Sequence, residues 1–135
     1  MEVKVTYKNG MQFEAETRGH KVVCDQPLDA GGEDGGMTPP EFLLVSLGTC
    51  AMYYVAYYLK MQKISAEGMT VKVEADKAMN PPRLGKFVIA IDVPAALDER
   101  QLDAARRSAE KCLVKNTLMM APEIELAVRA TEAVA

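Results

Sequence analysis

The feature that most constrains this chain is the stretch from Phe42 to Leu59, in which all 18 residues are apolar, small or tyrosine. Thr38-Pro39-Pro40-Glu41 stands directly before it. That spacing predicts a helix start: Thr38 accepts from the backbone three residues on, Glu41 reaches back, and the prolines fall where a missing N–H costs little. A helix of this length comes close to the ~20 residues that span a bilayer. Ser46, Gly48, Thr49 and four tyrosines are poor filler for a lone lipid-facing helix, and the flanking segments read as strands of a soluble protein. A soluble helix that is apolar all round must be covered on nearly every side. A chain of 135 residues has little core to wrap it. The sequence therefore predicts that a second subunit covers part of this helix.

The flanks are strand-like. Val3, Val5 and Tyr7 alternate with polar residues, Asn9-Gly10 suits a tight hairpin turn, and Met11, Phe13 and Ala15 alternate again. His20–Cys24 is a third short run. Residues 25–37, with Gly31, Gly32, Gly35 and Gly36, read as a surface loop without phosphate-loop spacing. After the long helix, Met69, Val71, Val73 and Ala75 alternate, residues 80–85 form a turn, and Phe87, Ile89, Ile91 and Val93 alternate. Asp98 and Gln101 predict the start of a second helix, whose apolar face carries Leu102, Ala105, Ala109, Cys112 and Leu113. A short helical turn is expected over 116–121, and Ile124, Leu126, Val128 and Ala130 predict a final strand. The order is β-β-(β)-α-β-β-α-β, an α/β chain of the α+β type: one domain over residues 1–135, with an antiparallel sheet and two main helices.

Net charge is −3, with no basic patch, which disfavours a nucleic-acid binder. Three cysteines are too few for a secreted disulfide scaffold, and Met1-Glu2-Val3-Lys4 is not followed by a signal-peptide core. A reducing cytoplasm is the expected compartment. No membrane partner and no cofactor is implied.

His20 is the only histidine. A metal site shared with Cys24 is disfavoured, because positions i and i+4 of a strand lie about 13 Å apart. Asp25, Glu33 and Asp34 fit a solvated loop. Cys50, after the small pair Gly48-Thr49, and Cys112, between Lys111 and Leu113, remain as the residues able to carry chemistry. Each could equally be a buried packing residue.

The segment Met37–Cys50 resembles the signature of the OsmC/Ohr family, the osmotically inducible and organic-hydroperoxide-resistance proteins. Lys111-Cys112-Leu113-Val114-Lys115-Asn116-Thr117-Leu118 is similar to the family's second cysteine segment, with Leu113 where a proline is common. Asp25-Gln26-Pro27 and Gly31-Gly32 also look like this family. The resemblance implies an intertwined homodimer with two long helices at its centre. It further implies thiol-dependent reduction of peroxides, organic hydroperoxides above hydrogen peroxide. Cys50 would be the attacking cysteine and Cys112 the resolving one, with a dithiol reductant, of lipoyl type in the peroxidase branch.

In that branch an arginine on the first hairpin, held by a glutamate on the cysteine's helix, activates the thiolate. Lys8 and Arg18 are the candidates here for that cation, and Glu41 for the glutamate. Glu41 also reads as the capping-box residue. Cys50 lies too far inside its helix for the helix N-terminus to ionise it alone, so a nearby cation is expected. The departures place the chain nearer the general OsmC-like branch. A second reading is a small-molecule binding module on the same scaffold, with Tyr53, Tyr54, Tyr57, Tyr58, Met119 and Met120 lining an apolar pocket between subunits. Those side chains fit plain packing as well.

Overall fold

The computed structural model describes residues 1–131; positions 132–135 of the expected domain lie outside the described residues. Strands β1 (Lys4–Asn9), β2 (Gln12–Thr17) and β3 (His20–Cys24) form one antiparallel sheet in the order β1-β2-β3. The first turn is centred one residue later than Asn9-Gly10 suggests: Asn9 pairs with Gln12, and of the two only Gly10 has a positive φ. The second is the tight turn Arg18-Gly19, both with positive φ. Thr17 pairs with His20 across it.

Helix α1 (Pro39–Met61) begins as expected. Thr38 is its N-cap, both capping-box hydrogen bonds form, and the prolines occupy the first turn. Strands β4 (Thr70–Ala78) and β5 (Arg83–Asp92) make a second antiparallel sheet, with Val73 opposite Ile89 and Val71 opposite Ile91. The alternating burial of both strands turns Val71, Val73, Phe87, Ile89 and Ile91 inward. Helix α2 (Glu99–Ala109) starts on the Asp98/Gln101 capping box.

The sequence expectation differs from the structure in four places. The predicted single sheet is two sheets. The second helix stops at Ala109, and Cys112 is the N-cap of a separate helix α3 (Leu113–Met119), where a continuous apolar face and a later turn were expected. Residues 121–131 contain no strand. Ile124, Leu126 and Val128 alternate as a strand would, yet are 80%, 86% and 92% exposed, because a strand needs an edge to pair with and among the described residues no strand pairs with theirs. Finally, Asp25 is not solvated: it is 1% exposed.

The core lies between α1 and β4–β5, in two adjoining clusters. Leu47, Ala51 and Cys112 form one, with Val73, Phe87, Ile89 and Ile91 packed on it. Val55, Leu59 and Ala105 form the other, closed by Ile64, Met69, Val93 and Leu97. Gly48 lets α1 lie close on β4: a Cβ there would stand 2.8 Å from Val73 Cγ2. The opposite side of α1 is uncovered. Val45, Tyr53, Tyr57 and Met61, spaced by four or eight residues along one stripe, are all exposed. By length and composition α1 could cross a membrane. Here its other face forms the core with strands and helices. The three-stranded sheet has no comparable packing on α1 or on β4–β5, and every residue of β1 is exposed.

The sheet connects to α1 through residues 25–37, and Asp25 organises that loop. Its carboxylate accepts from the backbone N–H of Gln26 at 2.7 Å and Gly35 at 3.0 Å, and more weakly from Glu33 N–H and Gln12 Nε2, both at 3.4 Å. These donors, Gln26 first, hold its pKa below the ordinary carboxylate value against the opposing effect of burial. A Cβ at Gly32 or Gly35 would strike this cluster, which explains glycine at both positions.

Candidate functional site

Cys50 and Cys112 are 62 residues apart in sequence and meet in space. Cys50 sits on α1, one residue before the buried Ala51, and is partly exposed. Cys112 sits in the bend between α2 and α3 and is 0% exposed. The bend exists because α2 stops at Ala109 and Cys112 takes an N-cap conformation, its sulfur accepting the Lys115 N–H at 3.4 Å. The Cys112 S–H has the Leu47 carbonyl oxygen as an acceptor at 3.9 Å, and Cys50 packs against the cluster that holds Cys112.

The two thiols are electrostatically unequal. Burial pushes the Cys50 thiol up. The Val114 N–H, the Cys112 S–H and the Leu113 N–H outweigh it, and its pKa falls below the ordinary value. Burial likewise pushes Cys112 up. The Lys115 N–H opposes this, but proximity to Cys50 adds to it, and the Cys112 pKa ends above the ordinary value. Of the two, Cys50 is the more acidic thiol. The thiolate is the nucleophilic form of a cysteine.

A cation was expected beside Cys50; within one chain the groups that lower its pKa are the Val114 N–H, the Cys112 thiol and the Leu113 N–H. Leu113 and Val114 act through the main chain and leave no trace in residue type. The available signal was the position of Cys112 at a helix start.

The other candidates lie elsewhere. Glu41 is held at the entry of α1, its Oε1 accepting from Thr38 N at 2.8 Å and Thr38 Oγ1 at 2.9 Å. These bonds, the backbone one first, lower its pKa. At 1.5 Å per residue it is about 13 Å along the helix from Cys50. Arg18 occupies the β2–β3 turn and borders a surface hollow with Glu2, Lys4 and Glu16. Lys8 is exposed on β1. The structure thus unites Cys50 with Cys112 and leaves Glu41, Arg18 and Lys8 apart from them within one chain.

Among the described residues no group of three or more His, Cys, Asp or Glu side chains is placed to hold a metal ion. Of the aromatic and Met set, Tyr54 and Met120 line a shallow groove with Lys111, Leu113, Asn116, Thr117 and Pro122. Tyr53 and Tyr57 lie outside it on the exposed stripe, their rings 6.5 Å apart.

A family model described as OsmC-like protein matches residues 31–127, which include both cysteines and the elements that carry them. The chain belongs to the OsmC-like family. Solved structures agree with the assignment. A Psychrobacter arcticus protein described as osmotic stress induced, with a detoxification response, superposes on this OsmC-like chain with a TM-score of 0.79 at 25% identity, over 85% of each chain. An OsmC-like protein from Mycoplasma pneumoniae gives 0.76 at 15% identity, over 89% of this chain and 87% of its own. An organic hydroperoxide resistance protein OsmC from Legionella pneumophila gives 0.62 at 23% identity, over 87% of both. The last two likenesses carry the fold alone. No curated protein sequence matches the chain. The mixed α+β architecture with antiparallel sheets is that of the family.

Proposed function

We propose that this OsmC-like protein is a thiol-dependent peroxide reductase that acts on organic hydroperoxides in preference to hydrogen peroxide. The observation that carries the reading is the packing of Cys50 against the buried cluster that holds Cys112, with the lowered pKa on the partly exposed member. A Cys50 thiolate attacks the terminal peroxide oxygen, the O–O bond breaks, and the alkoxide leaves and takes up a proton as an alcohol. Cys50 is then a sulfenic acid. The Cys112 sulfur attacks it, a disulfide forms and water leaves. A dithiol reductant returns both sulfurs to thiols by exchange. Family membership and the organic hydroperoxide resistance protein among the fold's neighbours support a peroxide-related role.

The protein works as a homodimer in the cytoplasm on this reading. The exposed stripe of α1 and the unpaired segment around Ile124–Val128 support a second subunit. A cation from that subunit's hairpin, Lys8 or Arg18, would add to the backbone donors at Cys50, with Glu41 at the helix entry as its candidate partner.

The test is a thiol count by mass spectrometry after one equivalent of an organic hydroperoxide, run beside hydrogen peroxide. Rapid loss of two hydrogens, mapped to a Cys50–Cys112 bridge and absent in Cys50→Ser, is the expected result. Thiols that stay reduced, or oxidise at the rate of an ordinary thiol, would end the peroxidase reading. The fold would then be left as a scaffold for binding.

A further inference from the structure

A cavity of about 400 Å³ opens between β5, α2 and the buried side of α1. Its walls are Val55, Ile89, Ile91, Leu102, Ala105 and Cys112. Its lining shares no residue with the groove at Tyr54. Cys112 contributes to the wall but exposes no surface, so an occupant meets no reactive sulfur. The space exists because α2 turns small side chains, Ala105 and Ala109, toward the sheet, where larger ones would fill the gap. Ile89 and Ile91 therefore remain only half-buried, although they point into the core.

The mouth is charged. Arg106, Glu110 and Lys115 line it. Lys115 Nζ pairs with Glu110 at 2.5 Å. Arg106 pairs with Asp103 at 2.9 Å, and Arg107 pairs with the same carboxylate from outside the cavity. Asp103 is thus shared between two arginines, so Arg106 at the cavity has only part of a carboxylate to balance it, while Lys115 is matched by Glu110. A pocket in the ~300–1,000 Å³ range, with apolar walls and a few polar groups at one end, has the form of a small-molecule site.

We propose that this cavity binds a medium-chain carboxylate, with an alkyl tail on the order of ten carbons against Ile89, Ile91 and Val55 and the carboxylate at Arg106 and Lys115. The tail removes half-buried isoleucine surface from water. The carboxylate completes the balance at Arg106 and accepts from guanidinium and ammonium donors. The site is separate from the Cys50 chemistry and does not depend on it.

The test is isothermal titration calorimetry of the reduced full-length protein, without peroxide, using decanoate and decyltrimethylammonium below their micelle concentrations. Decanoate is expected to bind saturably, one per protomer, and the cationic amphiphile about tenfold or more weakly. Arg106→Glu, a change at an exposed side chain, should remove that preference. Ala105→Leu should fill the cavity and abolish binding of both, with an unchanged far-ultraviolet circular dichroism spectrum as the folding check. Absence of binding to the wild-type protein, as when a second copy of the chain covers the mouth, would overturn the proposal. So would equal affinity for the two probes, or decanoate binding that survives Ala105→Leu in folded protein. The thiol count in peroxide is a separate readout, so either conclusion can fail alone.

Discussion

Gly48 gives a sign-reversing test of how α1 is seated on β4, the packing that places Cys50 beside Cys112. A Cβ at position 48 would stand 2.8 Å from Val73 Cγ2 and 3.5 Å from Val71 Cγ1. The first distance is a clash and the second an ordinary contact. Gly48→Ala therefore combines two opposed effects. Alanine is favoured over glycine inside a helix by about 0.8–1.0 kcal/mol. Overpacking a seated interface costs roughly 1–3 kcal/mol. The net expectation in the wild-type background is a loss of between about zero and 2 kcal/mol. Val73→Ala deletes the clashing methyl. In that background Gly48→Ala should stabilise by close to the propensity difference, about 1 kcal/mol. The coupling between the two sites is then on the order of 1–3 kcal/mol. Urea unfolding of the four reduced proteins, at one protomer concentration, measures it. Gly48→Ala effects of equal sign and size in both backgrounds would show that Val73 does not set the helix–sheet distance.

Further expectations follow from the core, the helix cap and the thiols. Leu59 is 0% exposed, so Leu59→Ala should cost roughly 2–5 kcal/mol in the same urea assay, and a smaller loss would mean that the site collapses around the deletion. Thr38→Ala should cost about 0.5–2 kcal/mol by removing the cap of α1. The folded-state pKa of Glu41 is depressed, so its contribution is full above its unfolded pKa and is lost as pH falls through the folded value. The stability gap between wild type and Glu41→Gln should thus close in thermal melts taken at progressively lower pH. In a pH series of alkylation read by mass spectrometry, Cys50 should react at lower pH than Cys112. Cys112→Ala should move the Cys50 profile upward by removing one of its donors. Faster alkylation of Cys112 in folded protein would contradict the assigned roles.

Much of the local architecture was legible in residue order. Thr38-Pro39-Pro40-Glu41 and Asp98–Gln101 specify their helix starts through bonds made within four residues, and both capping boxes form. The alternation in 70–78 and 83–92 specifies which residues face inward, because the period of two is a property of the strand itself. The apolar run of α1 announces more burial than one chain provides, and its stripe through Val45, Tyr53, Tyr57 and Met61 is indeed uncovered. The two cysteines stood out as candidates from their segments alone.

What sequence could not decide were features made by non-local contacts or by the main chain. The alternation of Ile124, Leu126 and Val128 is strand-like, but a strand forms only against an edge, and whether one is available depends on the arrangement of other segments. Asp25 looks like any loop carboxylate until the loop folds back and brings Gln12, Gln26, Glu33 and Gly35 around it. The inequality of Cys50 and Cys112 arises from the burial of Cys112 and from donors at Cys50, among them the N–H groups of Val114 and Leu113, which every residue except proline possesses. The sequence by itself determined the starts of α1 and α2 and the inward faces of β4 and β5, since those follow from contacts short in sequence. Only the tertiary structure decided how unlike the two thiols are, because that depends on how deeply Cys112 is buried and on N–H groups brought to Cys50 from more than sixty residues away.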